Sequence, residues 1–401
     1  MNKIVYEIRK NTYYDSVTLM LISKDLEKLP GVHKALVGMG TDLNKELAEN
    51  LNMLTDDLKT IGPNDFFISV NVNSEIEIGD LVKEVDKMLN QKKRDSGSDY
   101  MPLNLNSALD QEAGSNLVLI SVAGEYAVDE AKRALKNDLH VMLFSDNISL
   151  EDERTLKELA VEKGLLMMGP DCGTAIINNK ALAFANVVNK GDIGIVGASG
   201  TGIQEVSVII DKLGGGVSQV IGTGGRDLNR EIGGLMMLQG IEALNRDDET
   251  KVIVLISKSP SKDVADKILD KVRKINKPVI IDFIGGNREL IESTGAYAGI
   301  SLEDTGRKAV AISKNMEVED FEDFSLTPDE IEEIVFKEIE KLGEEQLYFR
   351  GLYTGGTLAN EAMEILAEGM GNLYSNISTL PEYSLNNIEN GQGHICIDFG
   401  K

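Results

Sequence analysis

Apolar positions in this chain come as short runs separated by amphipathic stretches. Residues 117–122 form one such run and predict a strand. Helical spacing follows over 127–136, a strand at 141–144, a helix after Ser149 and a strand at 165–168. The same alternation restarts at Asp192 and passes through apolar runs at 217–221, 252–257 and 279–283. Strands alternating with helices of this length predict βαβ units, and so parallel sheets with helices on both faces. The expectation is an α/β protein with two doubly wound domains in series, covering 112–189 and 190–315. Ahead of them, residues 1–94 mix short apolar runs (17–22 and 66–72) with helical ones and read as an N-terminal α/β extension. "QKKRDSGSDY" at 91–100 has no apolar period and predicts an exposed loop.

Beyond the second domain the pattern changes. Residues 316–345 are strongly acidic, and their second half predicts an exposed helix within a solvated linker. "LYFRGLYTGGTLANEAMEILAEGM" then opens a further strand-turn-helix unit, and the chain closes on the apolar "HICIDFGK". Residues 346–401 are too few for a whole α/β domain, so they are expected to begin a third one that further sequence or a partner completes.

The most informative stretch is "GDIGIVGASGTGIQEVSVII" at 191–210, a strand, a glycine turn and a helix without a break. Such a turn presents backbone N–H groups at the positive end of a helix, which favours an anion. It has a counterpart further on: Gly200-Thr201 precedes Glu205 at the same spacing as Gly356-Thr357 precedes Glu361. Glycine admits a ligand close to the backbone, and threonine offers a hydroxyl or a cap. Ser199, Gly200, Thr201 and Gly202 are therefore the first candidates for binding a phosphate, with Gly355, Gly356 and Thr357 as a second set. The alternative is two ordinary helix starts. The first turn approximates a dinucleotide fingerprint but lacks the acidic residue at the end of the next strand, and there is no phosphate-loop motif of the G-x-x-x-x-G-K-[ST] type. Arg226, after Gly224 and Gly225 in "GTGGRDL", is a candidate partner for a carboxylate or phosphate. Lys258, in "ISKSP", is a candidate point charge. For both, the alternative is an ordinary surface cation.

Composition narrows the classes. The 401 residues carry a net charge of −25, which argues against nucleic acid or an acidic membrane as partner. No apolar run reaches bilayer length, and "MNKIVYEIRK" is no signal peptide, so a cytoplasmic setting is expected. Two cysteines, Cys172 and Cys396, and three histidines, His33, His140 and His394, show no metal-ligand spacing. Cys172 is expected to be a small packing residue, and His394 to be structural.

"GLLMMGPDCGTAII", "GDIGIVGASGTGIQE", "QVIGTGGRDL" and "KPVIIDFIGG" resemble, in order, the α-subunit of succinyl-CoA synthetase and related acyl-CoA synthetases. "YYDSVTLM", "MGTDLNKEL", "LISVAGEYAVDEAKRAL", "FSDNISLEDE", "LAFANV" and "GLYTGGTLANEA" resemble more narrowly the FdrA proteins of that superfamily, over essentially the whole chain. The resemblance implies a CoA-binding-like Rossmann domain, a flavodoxin-like domain and the start of a third α/β domain. It also implies a phosphate embraced by two helix N-termini, here the two Gly-Thr turns. In the synthetases a loop histidine carries the phosphoryl group; the corresponding loop here reads "STGAYAGISLED", with Tyr297 near that place. A phenol is a poor labile phosphoryl carrier at neutral pH, so the phosphohistidine step is expected to be absent.

FdrA proteins are associated with oxamate carbamoyltransferase of anaerobic allantoin breakdown, which works with accompanying protein subunits. The resemblance thus implies transfer between carbamoyl phosphate and oxamate, in an oligomer, with no cofactor required. Glu205, which matches the glutamate that supports the histidine in the synthetases, and Arg226 are the candidate catalytic residues. Lys258, Gly224 and Gly225 would line the substrate. Two other readings stand beside it: a CoA ligase acting on an acyl phosphate, and a non-catalytic subunit that binds a phosphorylated metabolite.

Overall fold

The computed structural model describes residues 2–12, 14–73, 76, 78–94, 102–321, 324, 326–378, 380–385, 387 and 393–400. They fall into two units, Met1–Pro102 and Leu103–Lys401.

The first unit runs β1 (Asn2–Arg9), α1 (Ser16–Leu26), β2 (Val32–Met39), α2 (Asp42–Asn50), α3 (Asp56–Lys59), β3 (Phe66–Asn73) and α4 (Ile78–Arg94). The strands form an antiparallel sheet in the order β1-β3-β2. The apolar run at 17–22 falls in α1, which Asp15 starts by accepting the Thr18 N–H at 2.8 Å. β3 is covered on both faces. Phe66, Ile68, Val70 and Val72 share a core with α1 and α4, while Phe67 packs with Ala48, Met53 and Leu58 around α2 and α3. The loop expected at 91–100 is displaced, since α4 continues to Arg94; residues 95–100 lie outside the described residues.

The second unit begins with α5 (Leu105–Gln111), β4 (Leu117–Ile120), α6 (Gly124–Lys136), β5 (His140–Leu143), α7 (Leu150–Lys163) and β6 (Met167–Met168). Its sheet is parallel and strictly sequential, β4-β5-β6. The expected doubly wound sheet over 112–189 is therefore corrected to a singly wound one. Both its crossovers run one way, so strand order does not reverse within it. Ala127, Ala131, Ala134, Leu156 and Ala160 of α6 and α7 cover one face. Met142 and Met168 join the core of the next sheet.

That next sheet is the framework of the site. It comprises β7 (Thr174–Ile177), β8 (Lys180–Ala183), β9 (Lys190–Gly197), α8 (Gly200–Lys212), β10 (Val217–Gly222), α9 (Leu235–Arg246), β11 (Val252–Lys258), α10 (Lys262–Val272), β12 (Val279–Ile284), α11 (Arg288–Glu292), β13 (Tyr297–Ala298) and α12 (Leu302–Ser313). Strand order is β13-β12-β11-β9-β10-β7-β8, parallel from β13 to β10 and antiparallel at β7 and β8. The hairpin of β7 and β8 turns on Asn178 and Asn179, both left-handed at φ 48° and 59°. The sheet thus recruits strands from ahead of Lys190. Strand order, not chain direction, reverses between β9 and β11: β9 leads away to β10 on one side, and β11 leads away to β12 on the other. The carboxyl ends of those two strands, Gly197 and Lys258, flank the switch point.

Next come α13 (Pro328–Ile339), β14 (Arg350–Tyr353), α14 (Gly356–Met370) and β15 (Ile395–Asp398). α13 has no buried residue and starts with a capping box between Thr327 and Glu330. β14 and β15 pair in parallel, and Tyr374 bridges to the other side of β15. β15 is buried along its length, with Cys396 packed among Ala359 and Leu373.

Candidate functional site

Two helices begin at strand carboxyl ends and meet at their first turns. α8 follows β9. Its cap, Ser199, accepts the Gly202 N–H at 3.0 Å, and the N–H groups at the start of the helix have no intrahelical acceptor. α14 follows β14 and starts at Gly355 without a side-chain cap. Ser199 Oγ lies 2.5 Å from Thr357 Oγ1, and both residues are buried. A methyl on Gly355 would come 3.0 Å from Thr201 Cγ2, and one on Gly202 would come 3.3 Å from Thr357 Cγ2. The glycines are what let the two turns close on each other. All seven candidate phosphate residues are thus gathered in one place.

Lys258, at the end of β11, reaches the same place: its Nζ lies 2.7 Å from where a Cβ on Gly356 would stand. Asp398 Oδ2, at the end of β15, lies at the same 2.7 Å. Asp398 is 2% exposed, and its Oδ1 accepts the Gly400 N–H at 2.9 Å. Sequence reading missed Asp398, because only the pairing of β14 with β15 carries the end of the chain to Gly356.

The repeated glutamates diverge. Glu205 is exposed on α8. Glu361 is largely buried and accepts the Leu302 N–H at 2.7 Å, tying α14 to the start of α12. Burial holds its carboxyl above the usual range, helped by the nearby charges of Glu205 and Glu303 and opposed by the Leu302 N–H. Beside it Asp282, 2% exposed on β12, is pushed up to about 7, chiefly by burial. Donation from Thr305 Oγ1 at 3.0 Å and the charge of Lys308 pull the other way, while Glu361 and Asp304 add to the rise.

Arg226 is engaged elsewhere. Its guanidinium donates to the Ile148 carbonyl and pairs with Glu153, each at 2.8 Å. Gly224, at φ 87°, packs on the Pro170 carbonyl, whereas Gly225 faces Ala198, next to the first turn. Under this loop lies a fully buried cation. Lys157 of α7 donates to Glu153 (2.8 Å), the Thr223 carbonyl (2.9 Å) and Asp227 (2.9 Å). The Asp227 carboxylate in turn accepts the N–H groups of Met236 and Met237 at the start of α9.

Tyr297 is 40% exposed and lines a small cavity with Arg288, Glu292, Lys308 and Asp320, none of which belongs to either turn. Cys172 is buried, and its thiol is pushed up to about 11 by that burial, so it is an inert packing residue. His394 accepts the Phe349 N–H through Nδ1 at 3.0 Å, a structural role.

Over 393 residues, 98% of its length, the chain is 45% identical to YahF of Escherichia coli, and the match spans 75% of that protein. The chain belongs to the YahF family. Residues 1–102 match the family described as AllF, heavy metal-associated domain, and residues 188–285 match the CoA binding domain. The second match lies on the sheet that carries the α8 turn, outside most of 112–189. Among ligases, this YahF relative is 28% identical over 174 residues to subunit alpha 2 of the ADP-forming succinate–CoA ligase of Archaeoglobus fulgidus, covering 42% of this chain and 59% of that one. It is 26% identical over 244 residues to the alpha subunit of Aquifex aeolicus, covering 53% and 78%. Among solved structures it is similar to ATP citrate lyase of Methanothrix soehngenii with citrate and coenzyme A, at 17% identity and a TM-score of 0.47. That likeness covers 70% of this chain and 54% of the other.

Residues 1–102 hold no cysteine and one histidine, His33, whose Nε2 lies 2.8 Å from Asn73 Oδ1. Among the described residues no group of three or more His, Cys, Asp or Glu is arranged to hold a metal ion. Nor is any described helix long and apolar enough to cross a membrane.

Proposed function

We propose that this member of the YahF family is an acyl-transfer enzyme subunit that binds an acyl phosphate with its phosphate at the first turns of α8 and α14. The observation that carries the proposal is the meeting of the two Gly-Thr turns, with Ser199 and Thr357 in contact. Each helix N-terminus contributes roughly half a positive charge and free N–H donors, and Lys258 adds a point charge. In this reading the nucleophile attacks the acyl carbon, the acyl–oxygen bond breaks, and the departing phosphate is stabilised where its charge develops. Glu205, Arg226, Gly224 and Gly225 have weaker claims, because Arg226 is held by Glu153 and Glu205 is exposed.

The match to the CoA binding domain and the likeness to succinate–CoA ligase alpha subunits support CoA as the acyl acceptor, in a ligase-like reaction with accompanying subunits. One observation favours a second reading within the same site. The loop that resembles the phosphoryl-carrier loop holds Tyr297 and no histidine. Transfer of a carbamoyl group from carbamoyl phosphate to the nitrogen of oxamate, the reaction associated with FdrA proteins, needs no such carrier.

The test is phosphate release by the full chain with its accompanying subunits. Acetyl phosphate with CoA is compared with carbamoyl phosphate and oxamate. Thioester formation supports the ligase reading and oxalurate formation the carbamoyl reading. Loss of either activity in Thr357→Ala ties it to the turns; release of phosphate from neither pair overturns the proposal.

A further inference from the structure

We propose that α14 is a proton-operated latch: docking it on the seven-stranded sheet makes the carboxyl pair Asp282 and Glu361 take up a proton from solvent. Acid then closes the two turns on each other, and rising pH loosens them. The latch concerns how α14 docks; only its consequence for ligand binding rests on the reading above. Leu358 of α14 packs against the core that holds Ile280 of β12, whereas Val279, Ile281 and Phe283 belong to the core of the other face. Side chains alternate along a strand, so Asp282 shares the face on which α14 docks. It is 2% exposed and accepts from Thr305 Oγ1 at 3.0 Å. Glu361 joins α14 to the first turn of α12 by accepting the Leu302 N–H at 2.7 Å. The charges around the pair are mostly negative. Glu303 and Asp304 face it from α12 and Glu205 from α8, and Glu364 of α14 itself stands by Gly285, past the end of β12. The neighbouring cations are committed: Lys308 to Asp304 (2.8 Å) and Asp320 (2.6 Å), and Arg307 to Glu303 (2.6 Å). Among the described residues neither Asp282 nor Glu361 has an ion-pair partner. A carboxylate taken out of water without a counter-ion is costly, and binding a proton costs less. Like charges so close also oppose ionisation of both. Docked, Asp282 sits at about 7, chiefly through burial, and Lys308 and Thr305 lessen the rise without cancelling it. Lifting α14 readmits water and returns both groups toward the ordinary carboxylate range. Their contribution to docking is therefore fully present below about pH 4 and lost as pH rises to about 7.

Amide hydrogen exchange of the full chain, read by mass spectrometry over residues 356–370 and corrected for the intrinsic effect of pH, gives the opening constant of α14. The wild type is compared with Asp282→Asn, which keeps the shape and cannot ionise, and with Glu361→Gln, which keeps an acceptor for the Leu302 N–H. Relative to Asp282→Asn, the opening constant of the wild type is expected to rise by at least about 10-fold between about pH 5 and about pH 7.5. Glu361→Gln is expected to show the same trend, and it decides the matter if Asp282→Asn does not fold. A ratio that stays constant over this range, as a purely structural side chain gives, overturns the latch. So does a wild type whose α14 is better protected at the higher pH, a result that needs no variant. No ligand is present, so neither failure touches the acyl-phosphate reading.

Discussion

Gly356→Val is expected to lower affinity for an acyl phosphate by at least about 100-fold, the scale of losing a preorganised donor. The new Cβ would stand 2.7 Å from both Asp398 Oδ2 and Lys258 Nζ. The lysine end can swing away. The carboxylate is more constrained: the Gly400 N–H bonds its Oδ1, and Asn376 fixes the Asp398 backbone. The first turn of α14 must move instead, and with it Thr357, whose hydroxyl meets Ser199. Such overpacking also costs about 1–3 kcal/mol of stability, so binding is to be read well below the melting transition. Gly200→Ala is the control for the fold: its Cβ would meet only Thr174 Oγ1, at 3.8 Å, so its melting point should not fall. Calorimetry on the two variants checks this, and wild-type affinity in Gly356→Val would count against the site.

The turns themselves were legible, because a strand running through glycine into a capped helix is a local pattern that sequence spacing preserves. Their meeting is carried by the family resemblance alone and by no local pattern. It depends on β14 and β15 pairing across a long excursion and on α14 docking against the sheet. Asp398, Asp282 and Lys157 were invisible for a related reason: a charged residue reads as surface until its distant partners are known. Other differences did leave signals. Asn178-Asn179 between short apolar runs is a hairpin signature, since asparagine tolerates the left-handed backbone both residues adopt.

The second large effect concerns Lys157. Lys157→Met should lower the free energy of unfolding by about 3–5 kcal/mol, the usual cost of removing one partner from a buried ionic cluster. The methionine fills the space but leaves Glu153 and Asp227 facing each other in a dry interior, and the Thr223 carbonyl loses its donor. Arg226 still pairs with Glu153, and the α9 N–H groups still serve Asp227, which keeps the loss from being larger. Urea unfolding followed by circular dichroism gives the number. A loss under about 1 kcal/mol would show that the cluster contributes little to stability.

The account turns on one phosphate held by two helices. Its most direct test is phosphorus NMR titration of carbamoyl phosphate into the wild type, Thr201→Ala and Thr357→Ala. Each substitution is expected to weaken binding by about 10–100-fold, as for a hydrogen bond to a charged group. The two should couple, so that the double variant loses less than the product of the single losses. If only the substitution on α8 matters, or if neither does, the phosphate does not lie between the two turns and the central claim is wrong.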